Sequence, residues 1–142
     1  MTLTKIILIV SSISLLGLAT LAQSNDNASP SVVAAVTPIY PPIARSANAT
    51  GDISLDVEIN REGKVTSVDA KSGHPLLRRV SEDAARHWLF TPAPDGDKKR
   101  RAHLTFSFRI LPEKTPYYDG TPVFFPPYKI EVRTIAPSLV GP

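Results

Sequence analysis

Hydrophobic and polar residues alternate most strictly in two stretches of this chain. From Asp52 to Asn60, Ile53, Leu55, Val57 and Ile59 fall on one side, and Asp52, Ser54, Asp56 and Glu58 on the other. From Arg101 to Leu111, Leu104, Phe106, Phe108 and Ile110 alternate with His103, Thr105, Ser107 and Arg109. A period of two with one apolar side predicts strands with one buried and one wet face. Asn60-Arg61-Glu62-Gly63 reads as a turn, with Gly63 free to take positive φ. Val65 to Ala70 then returns as the second arm of a hairpin.

Between these strands the period lengthens. In Ser72–Ala93, Leu77, Val80, Ala84 and Trp88 recur at helical spacing, with Arg78, Arg79, Glu82, Asp83 and Arg86 mostly around the other side. Pro75 suits a first helical turn, where its missing N–H costs nothing. Pro92 and Pro94 forbid continuation. The order is therefore β-β-α-β, and the fold class is α+β. A three-stranded antiparallel sheet with one helix packed on its apolar face satisfies every alternation at once. Trp88 and Phe90 should land where the helix, the sheet and an initial Tyr-Pro-Pro turn meet.

The flanks carry weaker signals. Residues 23–37 show no sustained period and read as a flexible lead-in. Pro41 and Pro42 open a short helical turn through Ile43 to Ala47, with Gly51 able to end it. Pro112 to Pro127 reads as a proline- and aromatic-rich loop. Tyr128 to Ile135 alternates again and predicts a fourth strand. The domain thus spans 38–111, and 112–142 forms a tail whose last residues are expected to fray. Tyr117, Tyr118, Phe124 and Phe125 either form a partner patch or tie this tail down over the core.

Residues 1–22 have the form of a secretory signal: Lys5, an apolar run from Ile6 to about Leu21, then small residues. Cleavage after Ala22 fits. An uncleaved anchor is the alternative, although the run stops just short of the roughly 20 residues a spanning helix needs. Either way the remainder is exported, and it touches a membrane only if the segment is kept.

Composition narrows the chemistry. The 142 residues include 14 prolines, about twice average usage, clustered outside the central block. There is no cysteine, which excludes disulfides, thiolate zinc sites and a cysteine nucleophile. A net charge of +3 is too mild to imply nucleic acid. His74, His87 and His103 have no metal-ligand spacing, and no nucleophile elbow or glycine-rich phosphate loop is present. Ser72 near His74 has no orienting acid or oxyanion hole that the sequence supplies. No catalytic residue, metal or cofactor is expected. The run Lys98–Arg101 reads as a solvated strand start, with an acidic partner, lipid headgroups or cell-wall polymer as the functional alternative.

Several residues in this pattern resemble a known family. They are Tyr40-Pro41, Ala44, Gly51, Gly63, Ser72-Gly73 and Trp88-Leu89-Phe90-Thr91-Pro92-Ala93, in order and at family spacing across about 38–111. The family is the C-terminal domain of TonB-type energy transducers. The resemblance implies the fold already read from alternation. It also implies a periplasmic, non-enzymatic binding module that grips a protein partner, a TonB-dependent outer-membrane receptor. The sequence departs from full transducers: the segment 6–22 has no histidine, and about 15 residues before the domain reach only about 50 Å fully extended. A stand-alone structural or cell-wall-associated module is therefore the alternative.

If Asp52–Asn60 is central, Arg101–Leu111 is an edge, and open edges bind extended peptides by strand addition. The family is thought to hold a short receptor segment this way. Arg101, His103, Thr105, Ser107 and Arg109 are the candidate partner-binding residues. Two outcomes stand at this point: an edge left open under charged guards, or an edge closed by the tail strand Tyr128–Ile135.

Overall fold

The computed structural model describes residues 29–93, 99–116 and 120–137. Its elements are β1 (Val32–Ala34), α1 (Pro42–Ser46), β2 (Gly51–Ile59), β3 (Val65–Ser72), α2 (Pro75–Ala85), β4 (Leu89–Phe90), β5 (Arg100–Leu111), β6 (Val123–Phe125) and β7 (Lys129–Ile135). The signal or anchor segment 1–22, Lys98, Tyr117, Tyr118 and the last five residues lie outside the described residues. Among the described residues no helix is long and apolar enough to cross a membrane.

The α+β class and the β-β-α-β core stand as read from the sequence. β3, β2 and β5 form an antiparallel unit with β2 in the middle. The expected three strands, with a fourth from the tail, fit the strand count only loosely. The sheet has five strands in the order β3-β2-β5-β7-β6, and β7 runs parallel to β5. Tyr128–Ile135 does supply a strand, as Lys129–Ile135. The stretch Pro112–Pro127, read as loop, also contains β6, which pairs antiparallel with β7. A parallel neighbour needs a crossover of a dozen or more residues, and the proline-rich stretch provides it. The boundary at 111 therefore divides one continuous sheet.

The lead-in is corrected in the same way. Val32–Ala34 forms β1 and pairs with β4. The Tyr128 hydroxyl donates to Pro30 O at 2.6 Å, and Trp88 Nε1 donates to Val36 O at 2.9 Å. Short apolar runs without periodicity are ordered here because large aromatic groups need hydrogen-bond partners when buried.

α2 starts at Pro75, with His74 as N-cap accepting from the Leu76 amide. It ends at Ala85, so Trp88 lies one turn beyond the helix it was expected to continue. Leu77, Ser81, Ala84 and Ala85 are buried against the sheet. The Ser81 hydroxyl returns its hydrogen bond to Leu77 O, which lets a polar residue sit there. Trp88 is fully buried and stands edge-on to Phe106, with ring centroids 5.8 Å apart. Phe90 and Phe124 pack around it. α1 is held by buried Ala44, and Tyr40 stacks edge-on to Phe108 while its hydroxyl donates to Ala49 O.

Gly63 has φ +86, and a Cβ there would lie 1.9 Å from Phe90 O. Its own carbonyl accepts from the Phe90 amide at 2.8 Å. The hairpin turn is thus packed directly against the helix exit, which only glycine permits.

The β5 edge and the polar face of the sheet

The odd-numbered residues of β5 face away from the helices, as alternation requires. Arg101, His103, Thr105, Ser107 and Arg109 therefore share one face but have different surroundings. Arg101 Nη2 contacts Glu58 Oε1 at 3.3 Å, and Lys99 Nζ lies 3.6 Å from the other Glu58 oxygen. Arg100 instead donates to the carbonyls of Thr91 and Asn60. His103 Nδ1 lies 2.7 Å from Asp56 Oδ1. That hydrogen bond, foremost among several causes, holds the Asp56 carboxyl below its usual range. Arg109 Nη2 donates to Asp52 Oδ1 at 3.2 Å. Cross-strand charge pairs thus neutralise most of this face, each weakly because it is exposed.

Ser107 differs. It sits between its cross-strand neighbours Asp52 and Glu131, fully buried, and its Oγ has no partner among the described residues. Thr105 is half-buried beside Lys129.

The backbone of the edge divides into two parts. The Thr105 amide donates to Tyr128 O at 3.0 Å, and the Ala136 amide donates to Leu111 O at 2.8 Å. Odd residues of β5 therefore turn their N–H and C=O toward β7 while even residues serve β2. From Thr105 to Leu111 those groups meet β7. Arg101 and His103 have no ladder partner on that side among the described residues. Where the cover ends, His103, Thr105, Phe125, Pro126, Pro127 and Lys129 line a shallow cleft of about 310 Å³. Phe125 is 43% exposed. The contribution of Phe125 to this cleft had no signal in the sequence beyond an aromatic beside prolines.

The remaining histidines have local roles: His74 caps α2, and His87 Nδ1 lies 2.8 Å from Asp83 O. Among the described residues no three His, Asp or Glu side chains gather as a metal site.

Fold and edge together define a small α+β domain with helices on one sheet face and a partly covered central edge. The sequence pattern of the Gram-negative bacterial TonB protein C-terminal matches residues 36–110, and the chain belongs to that family. It is 38% identical over 64 residues to Protein TonB of Xanthomonas campestris pv. campestris, in strains B100 and ATCC 33913. That stretch covers 44% of this chain and only 29% of those proteins. A solution NMR structure of the Pseudomonas aeruginosa TonB C-terminal domain aligns with a TM-score of 0.47 at 21% identity. It covers 60% of this chain and 90% of that one.

Proposed function

We propose that this protein is a periplasmic binding module that holds an extended segment of a protein partner, an outer-membrane transport receptor, against the open end of β5. The observation that carries this reading is the pair of residues Arg101 and His103, whose backbone groups face outward with no strand beside them among the described residues. A short segment added there would gain main-chain hydrogen bonds. One of its side chains would reach the cleft beside Phe125 and Pro126. Thr105, Ser107 and Arg109 support this surface from the polar face, since β7 takes their outward backbone groups. Family membership supports the class of partner. No cofactor or catalytic residue is part of the reading.

The test is copurification of an outer-membrane receptor with the wild-type protein from envelope extracts. His103→Pro removes one outward donor of the open end, and the receptor should then be lost. Retention by this variant would place the contact elsewhere.

A second reading is favoured by the cover that β7 lays over Thr105–Leu111. The domain would then be a structural or cell-wall-associated module that uses no strand addition. Sedimentation with purified cell wall, with no receptor recovered, supports this alternative.

A further inference from the structure

A cavity of about 660 Å³ lies between α1 and the far ends of β6 and β7. Its walls include Arg45, Thr121, Pro122, Arg133, Thr134 and Ile135. Two guanidinium groups from distant parts of the chain line one concavity, and they differ in how they are satisfied. Arg133 Nε donates to Glu131 Oε1 at 2.6 Å. The Arg45 side chain has no hydrogen bond or ion pair among the described residues, and its Nε is buried without a partner. Arg45 stands at the basic end of α1, whose position is fixed by buried Ala44.

A half-buried guanidinium without a counter-charge loses hydration and gains nothing in return. The second guanidinium in the cavity, Arg133, already has the Glu131 carboxylate as its partner. An anion would supply the partner that Arg45 lacks. The walls restrict which anion fits. A carboxylate presents two coplanar oxygens that match the guanidinium fork. Pro122 and Ile135 offer apolar surface to a stem behind it, which inorganic phosphate lacks.

We propose that this cavity binds a carboxylate carried on a short apolar stem, with Arg45 as its cation and the stem lying against Pro122 and Ile135. The carboxylate could belong to a peptide C-terminus or to a free short-chain acid. The site is separate from the β5 opening and does not depend on the function proposed for it.

Titration of the full chain with N-acetyl-alanine and with butyrate, followed by NMR of backbone amides and arginine Nε–H groups, tests the proposal. Saturable shifts are expected at Arg45, Arg133, Thr134 and Ile135. The tighter of the two ligands identifies the source. Arg45→Gln should weaken binding by about tenfold or more, the equivalent of one charge-assisted hydrogen bond. Arg45→Lys should fall between, and both variants should keep the wild-type amide spectrum elsewhere. The proposal is overturned if Arg45→Gln titrates like wild type. It is equally overturned if inorganic phosphate saturates these residues while neither carboxylate does.

Discussion

Trp88 concentrates more of this fold than any other residue. It is fully buried, edge-on to Phe106, and its indole N–H ends on Val36 O, which ties the N-terminal segment to the core. Trp88→Ala should cost about 3–5 kcal/mol, the range for a large aromatic removed from a packed core. Chemical denaturation would measure it, and a loss below about 1 kcal/mol would contradict this packing. Ser107 presents the opposite case. Its buried hydroxyl has no partner among the described residues, so Ser107→Ala removes an unsatisfied group and should be neutral or slightly stabilising. At the surface, Asp56 has its folded pKa lowered, chiefly by the hydrogen bond from His103. A lowered folded pKa contributes stability that is present above the ordinary value of 3.8 and is lost as pH falls through the folded value. His103→Ala should raise the Asp56 pKa toward 3.8, as a carboxylate NMR titration would show. The accompanying change in acid stability should be small, because the pair is exposed.

At the scale of elements, β7 decides what kind of domain this is. Ile130 and Val132 enter the same core as Phe106 and Phe108, and Tyr128 packs against Phe90 while its hydroxyl reaches Pro30. The segment Tyr128–Ile135 is therefore structural. Ile130→Ala should cost about 2–5 kcal/mol, against well under 1 kcal/mol if the strand were a loosely attached tail. The same pairing predicts slow hydrogen exchange at Thr105, Ser107 and Arg109, whose amides face β7. Faster exchange is expected at Arg101 and His103, where β5 has no neighbour on that side among the described residues. β6 ends the sheet with three residues between Pro122 and Pro126, and flanking prolines discourage another chain from pairing there.

At the scale of the whole molecule, the sheet has helices on one face and a charge-paired polar surface on the other. The two ligand-facing features are far apart in construction: a gap in strand pairing at the start of β5, and an arginine-lined cavity beyond the end of β7. The first is proposed to take backbone from a partner, and the second to take an anion. If the gap is the partner site, truncation after Leu111 should lengthen the open edge from Arg101–His103 to the whole of β5. An extended receptor peptide should then bind more tightly in a direct binding assay, provided the shortened chain still folds. Unchanged binding by a folded truncation would mean that β7 does not restrict the edge.

The sequence alone determined the parts whose patterns are local. Strict alternation placed β2 and β5 and identified most of their buried side chains; Ser107, on the face expected to be wet, is nevertheless fully buried, and Ile110 is only half-buried. Helical spacing and Pro75 placed α2. The order of Tyr40-Pro41, Gly63, Ser72-Gly73 and Trp88–Ala93 was enough to place the family. The same alternation placed Arg101 and His103 on the polar face of β5. What only the tertiary structure decided was pairing at long range. Alternation records which residues share a face but not the direction of the neighbouring strand, so β7 could be anticipated and its parallel course could not. β1, β4 and β6 are two or three residues long, too short to show a period, and exist because a partner strand satisfies their backbone groups. The gap at Arg101 and His103 and the meeting of Arg45 with Arg133 depend on where separate segments stop. No residue pattern carries that information, because it arises only when the whole chain is packed.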